Sequence, residues 1–460
     1  MSRSTLVIPL IVGGAQFMHQ FDGAVIATAL PSMAASLHED PVRLNLAITT
    51  YLLALAVFVP VSGWMADRFG ARRVFIAAIV VFTVSSVLCG LAHSLVELVL
   101  CRVLQGMGGA MMTPVGRVIV LKSVPKLQLV QAMNYITIPA VLGPLLGPSV
   151  GGFIVTYFSW PWIFFINLPI GLAGVFMVRI FIPDVHAEEV ARLDLCGFVL
   201  IGMAVAGLVF GFEAIGRDVV PGSIILASIA AGALCSGLYL IYARRASDPI
   251  IDLSLLRIRT FAASLVGGGL FYLSTTSSVF LLALLLQLGF GFSAFQAGLT
   301  TLASAVGSLA TRFMFRSLLR PLGFRRLLMC NALLTGAFLI GCGLFRVTTP
   351  YVVIVLVLLI GGFSRSLQFT AVQSLAYAEM PPGFLSRATS FLAMAQQLAQ
   401  SFGVGLVALV VHIGVTWHDR IAIAAQDVAL GYFTIGAMAL ASVMVFYWLP
   451  AEAGAELSGP

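Results

Sequence analysis

Charge is nearly absent from this chain. Asp, Glu, Lys and Arg make up 9% of its 460 residues, where a soluble globular protein carries about 25%. That deficit excludes a water-soluble fold. The 60% hydrophobic content and a mean hydropathy of +1.06 place the chain in lipid. Long polar stretches are also missing, so no soluble domain is expected. The tail after Pro450 is too short for the signalling segment that a membrane receptor or scaffold would need. The six cysteines (Cys89, Cys101, Cys196, Cys235, Cys330 and Cys342) lie in apolar runs without paired spacing, which argues against a disulfide framework and a metal site alike. His38, His93, His186, His412 and His418 fall mainly at loops or span ends, and no Ser/His/Asp constellation is visible. An enzyme is therefore not expected, and neither is a metal or other cofactor.

Acids are scarcer than bases, 18 against 25, for a net charge of +7. The bases do not form a nucleic-acid surface, because their positions follow the loops. Arg68, Arg72, Arg73, Lys122, Lys126, Arg244, Arg245, Arg325 and Arg326 fall in one alternate set of loops, while the other set holds chiefly Arg43, Arg217, Arg346 and Arg420. Such asymmetry places the basic loops in the cytoplasm. It predicts a multi-pass protein of the cytoplasmic (inner) membrane with both termini inside.

What the chain does have is apolar runs of about 20 residues, long enough to cross roughly 30 Å of hydrocarbon as helices. They lie near 5–30, 42–64, 74–92, 96–120, 131–157, 161–182, 194–214, 222–242, 261–288, 295–315, 325–345, 350–377, 386–412 and 428–449. The first continues through Asp22 to Leu30 without a small-residue cleavage site and reads as a retained span rather than a signal peptide. The expected fold is all-α: a six-helix bundle over 1–184, two inserted membrane helices and a basic loop over 185–255, and a second six-helix bundle with a short tail over 256–460. The halves echo each other weakly. Gly70-Ala71-Arg72-Arg73 aligns with Gly323-Phe324-Arg325-Arg326, but Asp67 falls opposite Arg320 and Gly63 opposite Arg316. Gly151 and Gly152 likewise echo Gly403 and Gly405.

Between the second and third runs sits Gly63-Trp64-Met65-Ala66-Asp67-Arg68-Phe69-Gly70-Ala71-Arg72-Arg73. A basic loop alone would mean only a cytoplasmic connection; the acid and both glycines in register say more. The run resembles the loop between the second and third helices of major facilitator superfamily transporters. Arg102-Val103-Leu104-Gln105-Gly106 is similar to that superfamily's fourth-helix motif, against the plainer reading that Arg102 snorkels to the interface. Gly143-Pro144-Leu145-Leu146-Gly147-Pro148-Ser149-Val150-Gly151-Gly152 looks like its antiporter motif. Glycines at every fourth position make a smooth stripe for close helix contact, and the prolines loosen the hydrogen-bond ladder. Phe21-Asp22-Gly23-Ala24 through Ala29-Leu30-Pro31, Trp160-Pro161-Trp162-Ile163-Phe164 with Asn167-Leu168-Pro169-Ile170-Gly171, and Pro114-Val115-Gly116-Arg117 resemble the fourteen-span drug:proton antiporter group, nearest its MdtD-like multidrug-resistance branch. Ala24 and Ala27 stand where that group usually has threonine and asparagine.

The resemblance implies secondary transport driven by a proton gradient, with no cofactor, by a protein that works as a monomer in the bilayer. Gln16, His19 and Asp22 recur at steps of three and share a helix face. Loss of water favours a protonated carboxyl, whereas a nearby arginine favours the ionised form. Asp22 opposed by Arg102 is therefore the expected proton-coupling group, with His19 as a candidate shuttle; the plainer reading makes Asp22 a helix-end residue near the interface. Asp67, with Gly63, Arg68, Gly70, Arg72 and Arg73, is expected to form the cytoplasmic gate. The substrate cavity is expected to draw on Gln16, Gln105, Tyr272, Gln287, Arg365, Gln368, Gln396 and Gln400, although glutamines in spans often only join helices. Close relatives tend to carry arginine where Tyr272 stands. With Asp22 nearly alone among acids in the spans, neutral, monocationic or anionic amphipaths suit the site better than dications. Proton-coupled export is the leading reading, and import or facilitated diffusion of a metabolite on the same fold is the alternative.

Overall fold

In the computed structural model, residues 3–183, 192–215, 220–292, 294–417 and 425–458 are described, and every regular element among them is helical. The order is α1 (Arg3–Leu37), α2 (Pro41–Phe58), α3 (Ser62–Phe69), α4 (Ala71–Gly90), α5 (Leu95–Ser123), α6 (Lys126–Tyr157), α7 (Trp162–Phe165), α8 (Asn167–Phe181), α9 (Leu195–Ala214) and α10 (Gly222–Ala243). There follow α11 (Arg259–Leu284), α12 (Ala294–Gly343), α13 (Tyr351–Ala378), α14 (Leu385–Trp417), α15 (Ala425–Tyr447) and α16 (Ala455–Ser458).

Among the described residues, 11 helices are long and apolar enough to cross a membrane, or 12 if the pair Gln128–Pro144 and Ser149–Tyr157, bent by 45°, is one span. That is fewer than the fourteen or so expected. Part of the difference is continuity: the runs near 295–315 and 325–345 form one 48-residue helical stretch, Gln296–Gly343. It is two helices in register, broken at Gly323, whose φ of 66° is not helical. The first expected span is helix α1, 35 residues long, and stands outside the count. Conversely, α2 and α3 act as one span, Arg43–Phe69, joined by a 3₁₀ turn at Val59–Val61, where Pro60 supplies no N–H to the ladder.

The chain divides into two compact units. Unit 1 comprises Met1–Phe210, Ser228–Leu253 and Pro381–Met394. In it α1 lies along α6, and α5 packs between α2 and α4. Missing side chains permit these approaches. A Cβ on Gly106 would stand 2.6 Å from the Tyr51 carbonyl of α2, and one on Gly108 2.8 Å from the Phe82 nitrogen of α4. Packing of this kind, rather than hydrophobic exclusion, holds helices together in lipid. The inserted pair behaves likewise: a Cβ on Gly207 of α9 would meet the Ser228 carbonyl of α10 at 2.7 Å.

Unit 2 comprises Gly211–Ala227, Ser254–Met380 and Ala395–Pro460. Its core joins α11, α12, α13, α14 and α15 around Leu281, Leu286, Leu339, Leu358, Val407 and Ile435. Gly307 of α12 and Gly362 of α13 allow their backbones to touch. Both units bury polar residues, Asp22 and Arg102 in one and Asn331 and Gln368 in the other, while Val84, Leu100, Phe176, Phe313 and Val352 are exposed, the inverse of a water-soluble surface and the arrangement lipid requires.

Candidate functional site

Asp22 lies midway along α1, with no exposure to solvent, and meets the equally buried Arg102 of α5. Its Oδ2 accepts a hydrogen bond from Arg102 Nη1 at 2.6 Å. Its Oδ1 accepts two more, from Gln105 Nε2 at 2.9 Å and Asn167 Nδ2 at 3.0 Å. Gln105 and Asn167 also converge on Ser86 Oγ, at 2.9 and 2.8 Å. Arg102 is held from three further directions: Nη1 donates to Gln105 Oε1 at 2.6 Å, Nε donates to the Ala47 carbonyl at 3.0 Å, and the guanidinium sits 4.1 Å from the Tyr51 ring centroid. Such hydrogen bonds offset the desolvation of a buried ion pair; of the guanidinium nitrogens, Nη2 has no hydrogen-bond partner. Five helices (α1, α2, α4, α5 and α8) contribute to one carboxylate–guanidinium centre.

His19 stands one step removed. Its Nδ1 shares a 2.5 Å hydrogen bond with Tyr51 Oη, so it reaches Arg102 through the tyrosine ring. Gln105, expected to line a cavity, is wholly engaged in the Asp22 network. Gln16 is buried on the same helix, and its Nε2 has no hydrogen-bond partner. Tyr51, Ser86, Asn167 and the Ala47 carbonyl were not anticipated as members of this centre. Asn167 could have been found, since it stands in the Asn-Leu-Pro-Ile-Gly run; Ser86 lies in no pattern at all.

The glycine stripe of α6 bears on the same helix. Cβ atoms on Gly143 and Gly147 would stand 2.9 Å from Gln20 and 2.7 Å from Ala24, on either side of Asp22 along α1. One on Gly151 would overlap Thr28 and Val25, whereas Gly152 faces open space. Pro144 is exposed; the side chain of Pro148 lies outside the described residues.

The expected gate also forms a contact set within unit 1. Ser386 Oγ of α14 donates to Asp67 Oδ1 at 2.6 Å, and Lys122 Nζ lies 3.6 Å from the same oxygen. Ser62 and Ser390 pair at 2.9 Å, and Gly63 is pressed against the Ser386 backbone. Gly70 has a φ of 87°, a conformation that suits glycine and lets α3 end where α4 begins. Arg72 Nη2 donates to the Arg179 carbonyl at 2.5 Å, closing α4 onto α8. Arg68 and Arg73 are exposed. The partners given to Asp67 thus come from α14 and α5, beyond its own loop.

In unit 2 the expected cavity residues fall into separate groups. Tyr272 is buried, and its Oη accepts from Gln373 Nε2 at 2.9 Å; that amide also reaches Gln396 Oε1 at 3.3 Å. Gln368 belongs elsewhere: its Oε1 accepts from Asn331 Nδ2 at 2.8 Å, within a set that includes Ser364 and Thr335. Arg365 is half-buried, with Nη2 3.5 Å from Ser304 Oγ. Gln400 is half-buried, and Gln287 is exposed in the π turn that follows α11. Gln373 was missed; it lies about one turn beyond Phe369, the ring packed on Tyr272.

Residues 12–404 match the sequence profile of the Major Facilitator Superfamily. "Putative multidrug resistance protein MdtD" of Salmonella paratyphi A is 39% identical over 417 residues, covering 88% of this chain and 87% of that protein. The protein of the same name from Pectobacterium atrosepticum is 38% identical over 403 residues, covering 88% and 86%. Among solved structures, the proton:xylose symporter XylE bound to 6-bromo-6-deoxy-D-glucose superposes with a TM-score of 0.69 at 16% identity, covering 98% of this chain and 97% of its own. The human organic anion transporter MFSD10 (TETRAN) gives 0.67 at 16% identity, covering 97% and 100%. At that identity these two likenesses bear on the fold alone.

Proposed function

The chain belongs to the major facilitator superfamily and is a multi-pass secondary transporter rather than an enzyme; on that premise we propose that it exports small amphipathic organic compounds in exchange for protons. The observation that carries the reading is the wholly buried Asp22–Arg102 pair, in which Gln105 and Asn167 donate to the carboxylate and the Ala47 carbonyl accepts from the guanidinium, whose Nη2 has no hydrogen-bond partner. Protonation of Asp22 cancels one member of that pair. A guanidinium left unpaired in a dry interior costs about 3–5 kcal/mol, enough to invert a two-state conformational equilibrium. Proton binding is thereby coupled to helix movement. The stripe Gly143–Gly147–Gly151 is the bearing on which α1 shifts, because these positions of α6 present bare backbone to it. His19 and Tyr51 relay changes around Arg102, and Asp67 with Ser386 and Lys122 forms the latch that opens in the alternate conformation.

This reading extends to organisation and setting. Two six-helix bundles work by alternating access, as the superfamily's repeats are suited to do, with α9 and α10 as the inserted pair. The protein works as a monomer in the cytoplasmic membrane with both termini inside. The buried acids among the described residues are Asp22 and Asp427, and Asp22 is already neutralised, so the cargo is neutral, monocationic or anionic rather than dicationic. The relatives' multidrug-resistance names support export.

The test is purified protein in liposomes with an internal pH dye, challenged with neutral, cationic and anionic amphipaths. Compound-evoked proton movement in wild type that disappears in Asp22→Asn is expected. Compound flux without proton movement would establish a facilitator and remove Asp22 from coupling. Selective, Asp22-dependent efflux of a dication would overturn the charge preference.

A further inference from the structure

Helix α5 carries a second buried guanidinium, and nothing described so far uses it. Arg117 is only 3% exposed, so it does not snorkel to an interface. Fifteen residues from Arg102, it lies about 22 Å farther along the helix axis. The two arginines are treated very differently. Arg102 has a carboxylate, a backbone carbonyl and an aromatic face. Each arginine leaves one nitrogen without a hydrogen-bond partner, Nη2 of Arg102 and Nη1 of Arg117, but among the described residues Arg117 has no ion pair as well. Arginine stays protonated in proteins and offers five N–H donors in a rigid fork. A charge of this kind inside a membrane bundle marks a ligand or ion pathway by default.

Its surroundings can be placed by register. A Cβ on Gly116 would meet Val12 of α1 at 2.7 Å, and one on Gly109 would meet His19 at 3.0 Å. Gln16 therefore lies between the levels of the two arginines. On the other side of α1, Gly13 faces the Tyr135 carbonyl of α6 at 3.1 Å, which brings Asn134 to the level of Arg117. Gln16 Nε2 and Asn134 Oδ1 are likewise buried without partners. Three helices of unit 1 thus hold unanswered polar atoms over the same few turns, one of them a fixed positive charge.

We infer that Arg117 is the anchor for the anionic group of a transported monoanionic amphipath, a carboxylate or a group of similar shape. This rests on the transport reading and narrows it. A carboxylate accepts two parallel hydrogen bonds from a guanidinium fork and supplies the charge Arg117 lacks. The Gln16 amide, about a turn farther toward Asp22, binds the polar part of the same molecule. While Asp22 is ionised, Arg102 is the poorer anchor, because its charge is already met by that carboxylate.

The test is equilibrium binding to the purified full-length protein, without a proton gradient, using 4-phenylbutyrate, its neutral amide and 4-phenylbutylamine. Wild type should bind the carboxylate in preference to the amine. Arg117→Gln should lose affinity for the carboxylate by about 10- to 100-fold, as expected for a charge-assisted contact, with binding of the amide unchanged. Arg117→Lys should recover part of the loss, which a purely structural role would not produce. Equal affinity of Arg117→Gln and wild type for the carboxylate overturns the inference. So does a parallel loss for the amide, which would signal general damage. A variant that binds carboxylate normally but sheds co-purifying anionic phospholipid assigns Arg117 to a lipid headgroup and also overturns it. Because no gradient is present, these outcomes are independent of whether Asp22 couples protons.

Discussion

Both units bury amides and hydroxyls, but they answer the burial in different ways. Unit 1 surrounds a carboxylate–guanidinium pair with Gln105, Asn167 and Ser86. Unit 2 joins Asn331, Gln368, Ser364 and Thr335 without any charge. The scaffolds beneath them correspond. Gly106 packs on the backbone of Tyr51, and Gly362 on that of Ser304; residues 51 and 304 are as far apart in sequence as Gly70 and Gly323, the two glycines whose positive φ interrupts a helical run. Four residues before Gly106 stands Arg102, and four before Gly362 stands the buried Leu358. One repeat carries a guanidinium paired with a carboxylate at this place, and the other fills it with hydrocarbon. Shared architecture therefore does not imply shared chemistry, and coupling is expected to reside in unit 1.

The comparison can be broken most severely by giving unit 1 the solution of unit 2. Arg102→Leu alone leaves the Asp22 carboxylate buried and unpaired, at a cost of about 3–5 kcal/mol. It should lower the thermal midpoint sharply in detergent, read by tryptophan fluorescence. Adding Asp22→Leu removes the second charge and should recover much of the loss. Recovery stays partial because Gln105 and Asn167 lose their common acceptor, at about 1–3 kcal/mol. The double variant should be inert in proton exchange. Equal instability of single and double variants would show that charge is not what distinguishes the units.

A milder contrast separates coupling from stability. Asp22→Asn preserves size and one acceptor oxygen, and should abolish compound-evoked proton movement. Gln368→Leu in unit 2 removes an acceptor from Asn331 and should cost about 1–3 kcal/mol of stability while leaving the proton-to-substrate ratio as in wild type. If Gln368→Leu changed that ratio, coupling would extend beyond unit 1.

Much of this contrast could be read from the residues. The Gly63–Arg73 loop pointed to the fold, and the structure breaks α12 at Gly323, the first residue of its weak echo Gly323-Phe324-Arg325-Arg326. The proximity of Asp22 to Arg102 followed from the family resemblance, not from spacing, because α1 and α5 are 80 residues apart at this contact. Tyr51 and Ser86 were illegible for a physical reason. A single hydroxyl in an apolar helix leaves no periodic trace, and its value comes from partners on other helices. Glutamines misled in the opposite sense: Gln105 and Gln368 look alike as polar residues in spans, yet one completes an ion pair and the other a neutral network. The run from 295 to 345 read as two spans, and the structure has two helices there that meet at the non-helical Gly323.

Steric substitutions sharpen the role of the α1–α6 seam. Gly147→Ala places a methyl group 2.7 Å from Ala24, where backbone and a short side chain cannot yield, and should reduce transport severalfold with a modest loss of stability. Gly152→Ala points into open space and should transport like wild type. Equal behaviour of the two would mean that the stripe is generic helix packing rather than a bearing for α1.

The smallest effect is expected at Asp67, where the repeats differ outright, since Arg320 occupies the corresponding place. Asp67→Asn keeps an oxygen for the Ser386 hydroxyl but loses the charge that attracts Lys122 across 3.6 Å. Both charged side chains are about one-fifth exposed, 21% each, so the lost attraction is screened and lies within about 0.2–1 kcal/mol. A latch weakened by that amount shifts a balanced conformational equilibrium by no more than about fivefold. Transport should therefore persist at a changed rate, with little movement of the thermal midpoint. Ser386→Ala should match it, because the same carboxylate loses its other partner. Measured together with the double variant, the pair should show non-additivity if both act on one latch; strict additivity would place Asp67 and Ser386 in separate roles.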